Sequence, residues 1–172
     1  MVDSVLLLVD AVEGPMPQTR FVTQKAFAHS FIPIVVINKI DRDGARPDWV
    51  LDQTFELFDK LGATDEQLDF PVIYASALEG YAGTKPDVRS GDTQPLFEAI
   101  VSHVPAPNVD AHGPLQLQVS SLDYDPYVGV LGIGRITRGN VNTDNSIAIV
   151  SPGGSARNGK LLELYGFEGL QR

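Results

Sequence analysis

Three short runs of Val, Ile and Leu, at residues 5–9, 32–37 and 71–75, set the strongest limit on how this chain folds. Each is apolar almost without interruption, and the stretches between them carry helical spacing. Strands that alternate with helices and lack polar positions predict a parallel sheet buried on both faces. All three runs therefore read as central strands. Between the first two, residues 18–30 suit a helix entered through Pro17, with Phe21, Val22, Lys25 and Ala28 forming one mostly apolar stripe. Between the second and third, residues 48–61 form the clearest helix: Leu51, Phe55, Phe58 and Leu61 share helical spacing, Pro47 supplies a start and Gly62 a stop. Residues 79–93, rich in Gly, Asp and Thr, predict a long surface loop, followed by a helix over 95–103.

The pattern changes at residues 104–114, Val-Pro-Ala-Pro-Asn-Val-Asp-Ala-His-Gly-Pro, where prolines rule out both a helix and a central strand. The chain accordingly divides into a first domain at 1–104, a linker at 105–112 and a second domain at 113–172. In the second part Leu115, Leu117 and Val119 alternate with polar residues, and residues 128–136 and 147–150 continue in strand-like runs. These predict antiparallel β structure, part of a small barrel. The fold class is thus α/β plus β.

Charge and composition narrow the function classes. Of the net charge of −9, −8 falls in residues 1–104 and −1 in residues 105–172, with no basic stripe of the kind that binds a phosphate backbone. No DNA partner is expected. There are no cysteines, which removes disulfides, thiolate zinc sites and a cysteine nucleophile. His29, His103 and His112 are scattered, so no metal or catalytic role is assigned to them. The apolar run at 5–9 is too short to span a bilayer, and the expectation is a cytoplasmic chain without a membrane partner.

The chemistry-bearing signal is Asn38-Lys39-Ile40-Asp41, placed at the carboxyl end of the second apolar run, where ligands bind in open parallel sheets. By composition alone N-K-x-D arises in about one chain in fifty of this length, so its position carries as much weight as its spelling. Ser76-Ala77-Leu78 occupies the corresponding end of the third run, and the fold would bring the two together. The pair suits guanine. An Asp carboxylate offers two acceptors to the N1–H and N2 donors, whereas adenine presents an acceptor at N1. Asp41 would select the base, Asn38 would bond the base edge and brace the loops, the Lys39 stem would lie over the purine face, and the Ala77 N–H would meet O6. A structural reading stands beside this one: Asn38 and Asp41 cap the turn after the strand, and Ser76 caps its loop.

At these residues the chain is similar to the back half of a P-loop GTPase domain. Val9-Asp10-Ala11-Val12-Glu13-Gly14 followed by Pro17-Gln18-Thr19 resembles the translational branch. Gly44-Ala45-Arg46-Pro47-Asp48-Trp49, residues 64–71, Leu122-Asp123-Tyr124, Tyr127-Val128-Gly129 and Gly132-Ile133-Gly134-Arg135-Ile136 narrow the likeness to the ribosome-associated BipA/TypA GTPases. The resemblance implies the carboxyl half of a GTPase domain joined to the start of a translation-factor barrel. It further implies a parent that binds GTP and GDP with Mg2+, hydrolyses GTP, and works on the ribosome and its RNA. Only Asn38, Lys39, Asp41, Ser76, Ala77 and Leu78 carry family site roles; no catalytic residue or metal ligand has a position here. Residues 154–161, Gly-Ser-Ala-Arg-Asn-Gly-Lys-Leu, imitate a phosphate loop but end in Leu where a hydroxyl is needed, and read as a hairpin turn. The chain alone is therefore expected to be inactive as a GTPase and to self-associate through open sheet edges. The alternative is a non-enzymatic RNA- or protein-interaction module built on the barrel part.

Overall fold

The computed structural model describes residues 2–143 and 146–167. Two compact units are present, one over Val2–Ala106 and one from Pro107 onward. The first contains β1 (Leu6–Asp10), α1 (Pro17–Ala28), β2 (Ile34–Asn38), α2 (Pro47–Lys60), α3 (Asp65–Leu68), β3 (Val72–Ser76), β4 (Tyr81–Gly83) and α4 (Gln94–His103). The sheet order is β1-β2-β3-β4, with the first three strands parallel and β4 antiparallel to β3.

Strand geometry sends alternate side chains to opposite faces, and the in-register pairing of Leu7 with Val35 and Val9 with Ile37 stacks one set of them into a core. That core takes in Ile40, Val50, Phe58, Phe70, Tyr74 and Tyr81, with Phe27 and Leu57 at its margin. On the other face Ile34, Val36, Ile73, Ala75 and Ala82 pack under Leu96, Ala99 and Ile100 of α4. Only β2 and β3 are buried as the sequence predicts. β1 is an edge strand whose Leu6 and Leu8 are 40% and 60% exposed, because α4 lies over β2, β3 and β4 and leaves that side of β1 bare. Sequence cannot distinguish a two-sided strand from an apolar edge strand.

The helices correct the expected stripes. α1 buries Thr23 and Ala26, while Phe21 and Val22 are exposed. Thr23 is tolerated inside because its hydroxyl donates to the Thr19 carbonyl at 2.8 Å. α2 buries Val50, Thr54 and Phe58, leaving Phe55 half exposed, and Thr54 is satisfied the same way by Val50. Pro47 opens α2 and Lys60 closes it, close to the expected bounds. Two elements were not expected. α3 is one turn held by a reciprocal cap, in which Gln67 N–H donates to Thr64 Oγ1 and Thr64 N–H to Gln67 Oε1. β4 lies inside the predicted loop at 79–93, where Tyr81 and Ala82 are buried against β3.

In the second unit β5 (Gln116–Asp125) pairs with β6 (Gly129–Arg138), and β7 (Ser146–Val150) with β8 (Ala156–Lys160), both antiparallel. The described residues thus form two two-stranded ribbons. The β5–β6 register shifts between Val119 and Ser121, and there Gly134 is required: a Cβ on it would lie 2.3 Å from the Gln118 carbonyl oxygen. Residues 151–155 form the turn of the β7–β8 hairpin, with Gly154 N–H donating to the Ser151 carbonyl at 2.8 Å, so the apparent phosphate loop is a hairpin turn running into a strand. Among the described residues no helix is long and apolar enough to cross a membrane.

Candidate functional site

Parallel pairing in register places Asp10 beside Asn38 and Asn38 beside Ala75, so the carboxyl ends of β1, β2 and β3 stand in a row. The loops leaving them are tied together by one side chain. Asn38 Oδ1 accepts the Lys39 N–H at 2.8 Å and the Ala77 N–H at 3.0 Å, joining the two sequence motifs directly. Ile40, 2% exposed, anchors its loop in the core, and its N–H donates to the Ala75 carbonyl. Ser76 is fully buried, and its Oγ accepts the Glu79 N–H at 3.1 Å, so its side chain shapes the loop. Leu78 is 86% exposed at the loop's tip.

Two groups are left with free valence on this ledge. Asp41 is exposed and its carboxylate has no partner among the described residues. Asn38, with Oδ1 occupied, retains an Nδ2 that has no acceptor among the described residues. The Ala77 N–H differs from the expectation. It is already donated to Asn38 Oδ1, so a base oxygen would have to share that bond. The arrangement can offer two carboxylate acceptors and an amide donor to a flat heterocycle laid against the loops.

Lys39 has a left-handed backbone, φ 67°, unusual for a residue with a Cβ and unfavourable by about 1 kcal/mol or more. Its ammonium donates to Asp10 Oδ2 at 2.7 Å. Asp10 is the site residue that motif reading passed over. Oδ1 accepts the Val12 N–H at 2.8 Å and the Glu13 N–H at 3.3 Å, and the Arg42 guanidinium lies 3.7 Å from Oδ2. An Asp ending an apolar run in register with the Lys-bearing strand is the signal that would have found it. Around it, residues 10–14 are closed by Gly14 N–H to the Asp10 carbonyl and gripped by Arg46, which donates to the Val12 carbonyl and stacks on Trp49 at 4.0 Å. Gly14, φ 73°, meets the Trp49 ring closely: a Cβ there would sit 3.1 Å from it.

Burial pushes the Asp10 carboxyl up, but the Lys39 ammonium and the Val12 and Glu13 amides outweigh it and hold the group below its ordinary value of 3.8. A carboxyl with a depressed folded pKa contributes stability that is present above the unfolded value and lost as pH falls through the folded one. Asp10→Asn is therefore expected to lower the urea midpoint at pH 7, with the gap from the parent closing as pH falls below 3.8. An equal gap at both ends of that range would contradict it.

Two shallow clefts, one along α4 past Phe97 and Val101 and one beside Phe27, Ser30, Leu61 and Gln67, include none of the loop residues. Among the described residues no three His, Asp or Glu side chains are grouped to hold a metal ion. Of the histidines, His103 bonds the Ala99 carbonyl and His29 lies against Phe31.

Comparison with known proteins gives this ledge its setting. Residues 1–106 match the Elongation factor Tu GTP binding domain family. Over all 172 residues the chain is 62% identical to the large ribosomal subunit assembly factor BipA of Salmonella typhimurium and 61% identical to that of Escherichia coli strain K12, spanning 28% of the length of each. The BipA of Buchnera aphidicola is 56% identical over the same span. Among solved structures, the bacterial selenocysteine-specific elongation factor EF-Sec aligns with a TM-score of 0.60 at 22% identity, over 90% of this chain and 24% of that one, a likeness of fold. With the family matched over more than half of the chain and the identity sustained to its end, the chain belongs to the elongation factor Tu GTP binding domain family, in its BipA/TypA branch.

Proposed function

We propose that residues 38–41 and 76–78 read the guanine base of a bound GTP or GDP, and that the full-length protein hydrolyses GTP in work on the ribosome. The observation that carries this reading is the Asn38 bridge between the two loops, which leaves the unpaired Asp41 carboxylate on the same ledge. Asp41 accepts guanine N1–H and N2–H, Asn38 Nδ2 donates to a ring acceptor, and the Lys39 stem covers the purine face. Ser76 and Ala77 act through the loop shape they impose, and Leu78 closes over the edge of the base. Because Asp41 is exposed, the penalty that rejects adenine arises only once the base covers it. Phosphate contacts, Mg2+ and the hydrolytic step belong to residues other than these, and Mg2+ would neutralise phosphate charge there.

Support for a ribosomal partner comes from the relatives, which are named as large ribosomal subunit assembly factors. The antiparallel ribbons of the second unit suit the start of a translation-factor barrel, and a cytoplasmic location follows from the same reading. The test is titration of the full-length protein with GDP and ADP. Strong preference for GDP is expected; equal affinity would remove the reading. The 172-residue chain alone is expected to bind too weakly to saturate at micromolar concentration and to turn over no GTP.

The bare side of β1, with Leu6 and Leu8 exposed on an edge strand, supports self-association of this chain. Light scattering is expected to show a mass that rises with concentration and falls on Leu8→Lys; a constant monomer would contradict it. A non-enzymatic binding role for the second unit draws on its exposed Leu122, Tyr124, Tyr127 and Val130, Tyr127 being 97% exposed. Arg138 of the same unit is engaged with Asp110 at 3.7 Å. Ribosome co-sedimentation with and without residues 113–172 separates the two readings.

A further inference from the structure

The Asp10 carboxylate faces two ways. Oδ1 holds the Val12 and Glu13 amides, and Oδ2 holds the Lys39 ammonium, so one side chain connects the loop after β1 to the loop after β2. Lys39 needs such a tether. Its backbone is left-handed, its side chain is half exposed, and a four-carbon stem in that setting has many rotamers to lose when it lies against a ligand. The Lys39 N–H on Asn38 Oδ1 fixes the near end of the residue, and Asp10 fixes the far end. A stem fixed at both ends meets a base without further ordering, which is how preorganisation raises affinity.

We propose that Asp10 is a positioning residue for guanine-nucleotide binding, acting through Lys39 and touching neither base nor phosphate. This rests on the guanine reading of residues 38–41. It also makes the placement of residues 10–14 part of the binding equilibrium, because the same carboxylate holds both. That loop is clamped from its other side by Arg46, which stacks on Trp49, and its Ala11 N–H donates to the Asn38 carbonyl, so a change in its position reaches the Lys39 ammonium through the Asp10 ion pair and the Lys39 backbone through Asn38.

Asp10→Asn is suited to the test, since an amide oxygen still accepts from Val12 and Glu13 while the charge facing Lys39 is gone. Lys39→Met approaches the same contact from the other partner and keeps an apolar stem. Fluorescent GDP and XDP are titrated into the full-length protein, D10N, K39M, the double variant and D41N. D10N is expected to bind GDP about tenfold more weakly with its guanine-over-xanthine preference intact. K39M is expected to be weakened to a similar degree, and the double variant to be no weaker than K39M, the non-additivity of two residues acting as one. A merely structural role for Asp10 would add its effect to that of K39M. D10N binding as tightly as the parent, or factors that multiply in the double variant, would overturn the inference. If D41N meanwhile shifts toward XDP, base reading survives that failure. Should D41N keep the parent's preference, the guanine reading falls and takes this inference with it.

Discussion

Asp41→Asn is expected to reduce guanine-nucleotide affinity by about a hundredfold and to move preference to xanthine nucleotides. A carboxylate facing N1–H and N2–H makes two charge-assisted bonds, each contributing roughly 1.5–3 kcal/mol. Losing the charge and turning an amide donor toward N2–H removes most of both, and about 2.7 kcal/mol is already a hundredfold. Xanthine carries a carbonyl where guanine has N2, so an Asn there finds an acceptor for its Nδ2 while its Oδ1 takes N1–H. The fold should not suffer, since Asp41 is exposed and makes no contact that the substitution breaks. GDP and XDP titrations with the full-length protein check this, alongside an unfolding curve that should superimpose on the parent's. An unchanged preference for guanine would take Asp41 out of its assigned role.

The largest effect on stability is expected at Phe58. It is fully buried at the centre of the core under β1 and β2, packed edge-on to Phe27 with ring centroids 5.1 Å apart and tilted against Phe70 at 4.7 Å. Truncation to Ala removes the transfer free energy of the ring, opens a cavity that neighbouring aromatics only partly fill, and ends both ring contacts. Phe→Ala changes in such places cost about 3–5 kcal/mol. That is a large share of the whole stability of a domain of this size. Urea unfolding of Phe58→Ala is expected to show that loss, whereas Phe55→Ala, three residues earlier on the half-exposed side of α2, should cost far less. Equal losses at the two positions would contradict the assigned helix face.

That pair also marks where sequence reading stops. The helical spacing of Leu51, Phe55, Phe58 and Leu61 is real, but the face that packs is turned toward Val50 and Thr54, because a Thr that bonds its own helix behaves as a small apolar residue. The same substitution of Thr23 for an expected Phe21 turns α1. Buried β2 and β3 were legible from unbroken apolar runs, yet β1 has the same composition and lies at an edge, a difference set by what α4 covers. The two loops to which guanine reading is assigned were legible as neighbours because each follows an apolar run directly. The bond between Ala77 and Asn38 and the pairing of Asp10 with Lys39 were not, since both join residues 29 or more positions apart and depend on sheet register.

The claim that these loops read guanine is tested most directly by amide chemical shifts of the 172-residue chain titrated with GMP and AMP at millimolar concentration. Saturable shifts are expected with GMP at Lys39, Ile40, Asp41, Ala77 and Leu78 and at the Asn38 side-chain amide, with little change for AMP. Equal responses to the two nucleotides, or GMP shifts that leave residues 38–41 and 76–78 unmoved, would contradict it.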